Sequence, residues 1–248
     1  MMRTLVITDN AFLLKEFVSI IDKLQLINLS DFHYMCSPNN KILVEQGCKE
    51  INLKHEWLNI IPGYFDLVIS LHCKQLFPKD MVSSVRCVNI HPGYNPYNRG
   101  WYPQVFSILN KLPLGATIHV IDAELDHGPI IAQKQIEVLS TDTSFTAYNR
   151  VLGAELVLIT EHIKSILINN YVAKPSIDEG NLNLKKDFNV LLKIDLDETV
   201  RVGDFIDRLR ALTHGEYNNA YFEDENGDFL RHNEEDTREY GKLNLQAT

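Results

Sequence analysis

The chain contains no apolar run approaching the eighteen or so residues of a membrane span, which argues against a helical membrane protein. Its four cysteines (Cys36, Cys48, Cys73 and Cys87) are widely spaced and form no CxxC pair. That argues against a disulfide scaffold, and a reducing cytosol is the expected compartment. Glycine is missing from the first strand-to-helix turn, Asp9-Asn10-Ala11, so neither a dinucleotide fingerprint nor a phosphate loop is present. NAD, FAD and ATP chemistry by the usual routes are thereby disfavoured. Basic residues are few, 24 against 33 acids, and they form no stripe. Such a chain is poorly suited to a polyanion, so no nucleic-acid partner is expected.

The net charge of −9 is unevenly spread. Residues 223–239 carry eight acids against Arg231 and Arg238, −6 in all, and read as a solvated edge and tail. From about Arg231 the polar tail is expected to be disordered. With 45% apolar and 23% charged residues, the remainder has ample material for a core.

Strand-like runs at Thr4–Thr8, Asp31–Cys36, Lys49–Leu53, Asp66–Leu71 and Cys87–Ile90 are interleaved with helical spacing. Phe12, Leu13, Phe17, Ile20, Ile21 and Leu24 outline the first helix, capped from Asp9-Asn10. Pro78–Val85 and Pro103–Leu109 read as short helices, and Ala116–Ile121 and Pro129–Val138 as two further strands. Thr141-Asp142-Thr143 introduces a long helix with Phe145, Tyr148, Val151, Leu152, Leu156, Ile159, Ile163 and Ile166 on one face. This alternation predicts an α/β, Rossmann-like domain with a mostly parallel sheet and helices on both faces, over residues 1–178. Residues 179–248 change in texture and read as a small β-rich α+β module. It has alternating runs at Leu182, Leu184 and at Val190, Leu192, Ile194, a helix around Leu209–Leu212, and a hairpin about Asn226-Gly227.

One group of residues carries chemistry. Asn89 and His91, two apart on a strand, face one side, and Pro92 leaves His91 at the carboxyl end, where open α/β sheets place ligands. Thr117-x-His119 and Asp126-His127-Gly128 follow. An amide and an imidazole can meet the charge on a carbonyl oxygen under attack by an amine. Asp126 can orient the imidazole or accept a proton, and a neighbouring carboxylate is expected to raise the His91 pKa. His91, His119 and His127 with Asp126 could in principle bind a metal, but no His-Glu-x-x-His helix accompanies them, and no metal is expected.

Asn89-x-His91-Pro92, with Thr117-x-His119 and Asp126-x-Gly128, resembles the signature of formyltransferases that use N10-formyltetrahydrofolate. The likeness is good over roughly residues 65–160. It implies a catalytic triad of Asn89, His91 and Asp126. It also implies a folate slot formed by Cys73, Lys74, Gln75, Leu76, Phe77 and Met81 with main chain near Asp122; Cys73 and Cys87 are read as packing residues. Where many relatives continue His-Pro-Ser-Leu-Leu-Pro, this chain has Gly93 followed by Tyr94, Asn95, Tyr97, Arg99, Trp101 and Tyr102. That wording is similar to the sugar branch. Flat aromatic walls suit a deoxysugar and an arginine suits a pyrophosphate. Arg210, His214, Tyr217 and Tyr221 are read as a nucleotide shelf.

The resemblance implies formyl transfer to a nucleotide-linked amino-dideoxy sugar, first dTDP-4-amino-4,6-dideoxyglucose and next a 3-amino isomer. The setting would be cytoplasmic O-antigen sugar synthesis by a homodimer paired through the C-terminal module. Glycinamide ribonucleotide or water as acceptor, an idle folate- or nucleotide-binding dimer, and a metal hydrolase are the competing expectations.

Overall fold

In the computed structural model, which describes residues 1–224 and 229–231, the chain begins with β1 (Met2–Thr8), buried over its last five residues. Asn10 accepts from the Leu13 amide at 3.0 Å and so caps α1 (Ala11–Lys23). Leu13, Leu14, Phe17, Ile20 and Ile21 form its buried stripe, while Phe12 and the following Leu24 stay exposed. Next come β2 (Ser30–Cys36), α2 (Lys41–Glu45), β3 (Lys49–Glu50), α3 (Leu53–Ile60), β4 (Leu67–Leu71), α4 (Lys79–Ser84) and β5 (Arg86–His91). The strand expected over 49–53 is cut to two residues because Asn52 caps α3, accepting from the Lys54 amide at 3.2 Å.

A two-residue strand, β6 (Arg99–Gly100), precedes α5 (Pro103–Asn110), then β7 (Leu114–Val120), β8 (Ile130–Ile136) and α6 (Ser144–Leu167). The seven-stranded sheet runs in the order β3-β2-β1-β4-β5-β7-β8. It is parallel from β3 to β5 and antiparallel at β5/β7 and β7/β8. The chain moves outward from β1 to β3 and returns at β4. Its topological switch therefore lies between β1 and β4, with a crevice outside their carboxyl ends.

One face of the sheet buries Ile69, Leu71, Val88, Ile90 and Ile118 against Phe17 of α1 and Leu158, Ile159 and Ile163 of α6. The opposite face packs Leu5, Ile7, Val68 and Cys87 on Ile51, Leu53 and Met81. Helix α6 is fixed at its start by a reciprocal cap. The Thr143 hydroxyl accepts from Thr146 N at 3.4 Å, and the Thr146 hydroxyl accepts from Thr143 N at 3.0 Å. Thr143→Ala is expected to lower stability by about 1 kcal/mol, read by urea unfolding.

The remaining elements are β9 (Leu182–Asn183), α7 (Lys185–Leu192), α8 (Val202–Leu212), β10 (Thr213–His214), β11 (Tyr217–Asn218), β12 (Tyr221–Glu223) and β13 (Phe229–Arg231). The alternation around Val190 is not a strand. Phe188 and Leu192, four apart, turn inward from α7 while Val190 is 77% exposed. Phe188, Leu192, Ala211, Leu212 and Ala220 share an apolar cluster with Val105 and Ile108 of α5 and Ala147 and Val151 of α6. Strands β12 and β13 pair antiparallel, as the hairpin reading requires. The Asn226-Gly227 turn and the tail beyond Arg231 lie outside the described residues. No helix among the described residues is long and apolar enough to cross a membrane.

Candidate active site

Val88 and Ile90 belong to the core on the α6 face, so Asn89 and His91 project from the other side of β5. Strand β7 lies antiparallel beside them in the register Asn89↔His119 and His91↔Thr117. Thr117 receives the Asn95 amide at 3.1 Å and donates to the Gly93 carbonyl at 2.7 Å, fastening the segment after His91. Asp126 arrives on the β7–β8 loop in a left-handed conformation, φ +49°. Two residues on, a Cβ at Gly128 would fall 1.9 Å from the Val120 carbonyl, so only glycine lets the loop fold back this closely.

The three residues converge. One Asp126 carboxylate oxygen accepts from Asn89 Nδ2 at 2.9 Å; the other accepts from Gly100 N at 3.1 Å and stands 3.6 Å from His91 Nδ1. His119 Nδ1 is 2.9 Å from the Val120 carbonyl and must donate to it. Its Nε2 is then the acceptor for Asn89 Nδ2 at 3.2 Å. Both amide hydrogens of Asn89 are thus engaged, one on the carboxylate and one on His119. His119 thereby adjoins the group, where the sequence reading places it only in the Thr117-x-His119 motif and among possible metal ligands.

Burial decides the charge state. Desolvation drives the His91 pKa down and outweighs the lift from Asp126, leaving it at about 4. The expected upward shift therefore does not occur. Burial would raise the Asp126 pKa, but His91, His119 and the Gly100 amide outweigh it and hold it at about 2. At neutral pH the site holds a neutral imidazole beside a carboxylate. With the carboxylate facing Nδ1, the proton belongs on that nitrogen and Nε2 presents a lone pair. His91 is 4% exposed, and its Nε2 has no hydrogen-bond partner among the described residues. A buried imidazole nitrogen without a partner costs free energy unless a bound molecule satisfies it.

The other predicted residues divide. Met81 is fully buried in the core beside Phe77, and Leu76 is 72% exposed. Gln75 braces the backbone, accepting from Leu53 N at 2.8 Å and donating to the Ile51 carbonyl at 2.9 Å. The Lys74 amide donates to Asp9, and Asp122 accepts from Glu124 N and His127. Burial pushes the thiols of Cys73 and Cys87 up to about 12, as inert packing residues. Asn95 is buried, its amide donating to the Asp126 carbonyl at 2.7 Å. Arg99 is also buried, reaching Glu179 at 3.1 Å and the Leu125 carbonyl at 3.5 Å. Trp101 lies tilted beside Tyr102 and under Lys185, and Tyr102 packs on Phe188.

Tyr94 borders a cavity of about 630 Å³ shared with Pro96, Tyr97, Gln133, Lys174 and Ile177. Arg210 is occupied by Asp207 and by the Leu139 and Asp142 carbonyls. His214 bonds Ser144, meets Phe145 edge to face and lies tilted beside Tyr148; Tyr217 is exposed and Tyr221 is half-buried. His127 turns from Asp126 toward Asp122. One side-chain N or O atom each of His127, Glu124 and Glu179 lies within 4.8 Å of the others, and His127 pairs with Asp122 and Glu179.

Comparison with known proteins agrees with this geometry. The family described as Formyl transferase matches residues 59–163, and the N-formyltransferase dimerization C-terminal domain matches residues 187–228. A dTDP-4-amino-4,6-dideoxyglucose formyltransferase of Mycobacterium tuberculosis is 53% identical over 163 residues, 66% of this chain and 70% of that protein. A sugar N-formyltransferase from Shewanella sp FDAARGOS_354 superposes with TM-score 0.89 at 41% identity, covering 93% of this chain and 96% of its own. A 4-N formyltransferase from Francisella tularensis gives TM-score 0.86 at 44% identity, with the same coverage.

Proposed function

Since this chain belongs to the formyl transferase family, in its sugar N-formyltransferase branch, we propose that its acceptor is dTDP-4-amino-4,6-dideoxyglucose and its donor N10-formyltetrahydrofolate. The observation that carries the reading is the convergence of Asn89 and His91 on Asp126, with the opposite ring nitrogen of His91, Nε2, unpartnered among the described residues.

In this reading the sugar amine attacks the formyl carbon, and the N–C bond forms. His91 Nε2, held as a lone-pair acceptor by Asp126, takes a proton from the amine and returns it to the departing folate nitrogen. Asn89 keeps one N–H on Asp126 and turns the other from His119 onto the carbonyl oxygen. A donor of this kind contributes roughly 3–4 kcal/mol to lowering the barrier. The folate slot runs along residues 73–77 and Asp122, where backbone groups make the contacts. The aromatic segment from Tyr94 to Tyr102 and the His214–Tyr221 region bind the nucleotide sugar, with Arg99 and Arg210 shaping the loops around it.

Residues 1–178 form the catalytic unit, and 179–248 pair two copies. The exposed apolar side chains of Val190, Val202 and Ile206, with the match to a dimerization domain, support this pairing. The setting is cytoplasmic synthesis of a surface-polysaccharide sugar such as that of O-antigen.

A panel of acceptors supplied with formyl-folate, read by folate absorbance, tests the assignment. The 4-amino sugar nucleotide should be formylated fastest, ahead of a 3-amino isomer, glycinamide ribonucleotide and water. Turnover independent of any amine would replace the transferase by a hydrolase.

Gly93 supplies a second test. A Cβ there would lie 2.4 Å from His91 Nε2 and 2.7 Å from Cδ2, so a side chain must push the ring aside. Gly93→Ala is expected to cut kcat by about 10²-fold, as displacements near 1 Å do, with little loss of thermal stability. Unchanged kcat would mean that the ring position seen here is not the working one.

A further inference from the structure

A second buried polar chain stands beside the site, at the β1/β4 switch. His72 directly follows β4 and adjoins His91 in the sheet, since Leu71 pairs with Ile90. Strand alternation would send its side chain to the face opposite α6. A left-handed backbone, φ +56°, turns it to the α6 side instead. There His72 Nε2 meets both carboxylate oxygens of Glu155, at 2.8 and 3.0 Å. Glu155 is fully buried, an acid set in the apolar stripe of α6.

Burial pushes the Glu155 acid up while His72 opposes that, and two oxygens sharing one nitrogen fit a carboxylate accepting a single N–H; in the neutral ring Nδ1 is then an acceptor. The Tyr148 hydroxyl lies 3.2 Å from that Nδ1. It also receives Asn10 Nδ2 at 3.2 Å, and this amide must donate because Asn10 Oδ1 is taken by Leu13 N. The hydroxyl therefore gives its hydrogen to His72, accepts one from Asn10, and has a second lone pair.

This inference rests on the formyl-transfer reading above. An amino sugar near neutral pH arrives as an ammonium ion. When its N–C bond to the formyl carbon forms and the carbon–folate nitrogen bond breaks, the ammonium loses two protons. One ends on the folate nitrogen by way of His91; the other must leave. Asp126 is ill placed to take it, because its carboxylate faces His91 Nδ1, the ring nitrogen opposite the Nε2 that meets the amine, and is held there by Asn89 and Gly100.

We propose that Tyr148 and the His72–Glu155 pair take up this second proton. Tyr148 accepts it from the ammonium and passes its own hydrogen to His72 Nδ1, leaving an imidazolium against the Glu155 carboxylate. Tyr148 touches the acceptor; His72 and Glu155 act through it. The titratable groups facing the chain are His91 on β5, whose protonation a charge on His72 opposes, and His214 on β10, whose ring is 5.6 Å from that of Tyr148. Helix α1 brings only Asn10 and no acid in its first turn, while Asp9 is held by Ser37, Asn40 and the Lys74 amide.

The test compares kcat/KM for formyl transfer to the amino sugar nucleotide in wild type, His72→Gln and Tyr148→Phe, across neutral to alkaline buffers. Both variants should lose at least about tenfold near neutrality. The deficit should close in alkaline buffer, where the sugar amine enters already neutral and only one proton has to move. A deficit that is constant with pH would mark a structural role and overturn the proposal, as would no deficit at all. Tyr148→Phe keeps the ring packing, so it answers the question even if His72→Gln folds poorly. A wild-type protein that formylates no amino sugar would remove the functional reading itself, whereas an active wild type with pH-independent variants removes only this chain.

Discussion

Asp126→Asn is expected to lower turnover by about three orders of magnitude or more, comparable to the loss of the orienting carboxylate in a nucleophile–histidine–aspartate site. Asparagine tolerates the left-handed backbone at this position, so the loop can still close. The charge is lost, however, and with it the force that keeps the His91 proton on Nδ1. An amide also has one accepting oxygen where the carboxylate offers two. Either the Asn89 or the Gly100 N–H must then face an NH₂ group. Losing one of these buried partnerships should cost about 1–3 kcal/mol of stability, so rates belong at a temperature where the variant is folded. His91→Ala should show a comparable kinetic loss. Single-turnover measurements with saturating donor and acceptor separate chemistry from binding. Near wild-type rates in either variant would sink the assigned roles.

The second large effect is on stability against pH. Burial holds the His91 pKa at about 4 in the folded chain, against an ordinary value of 6.5. Between those values the unfolded chain holds more protons, so stability rises with pH and is lost as pH falls from 6.5 toward 4. A displacement of this size corresponds to about 3 kcal/mol. Asp126 acts in the same direction at lower pH. Its pKa of about 2 lies below 3.8, so its share is present above 3.8 and lost as pH falls through 2. The two groups are coupled, and their contributions do not simply add. Urea unfolding of wild type and His91→Gln at several pH values isolates the histidine, because the other titrating groups are common to both. The variant should be markedly less sensitive between pH 6.5 and 4. Parallel curves would mean that His91 is not buried as a neutral ring.

Much of the architecture could be read along the chain because it depends on neighbours in sequence. Asn10, Asn52 and Thr143 cap helices through hydrogen bonds spanning two or three residues, and β-branched runs mark β1, β4 and β5. Two segments misled for the same local reason. Val190 sits in a run whose alternation mimics a strand, yet burial of Phe188 and Leu192 against α5 and α6 selects a helix. Lys49–Leu53 looks extended until Asn52 starts a helix. The motif residues Asn89, His91 and Asp126 were visible because Pro92 and Gly128 fix where a strand stops and how a loop folds back.

Other features exist only once distant segments meet. Nothing local in Leu71-His72-Cys73 names Glu155 as its partner, although an acid within the apolar stripe of α6 was a signal that could have been followed. Arg99 reads as a free cation, yet Glu179 and the Leu125 carbonyl claim it.

The order of residues alone determined most of the elements and the caps, since each follows from interactions a few positions apart, and it carried the Asn89, His91 and Asp126 motif through its resemblance to a family. Only the packed sheet decided that His91 is neutral, that both Asn89 hydrogens are engaged and that His119 and His72 flank the site. A pKa depends on how much water is excluded and which charges come near, and both quantities arise when β5, β7 and the Asp126 loop are brought together.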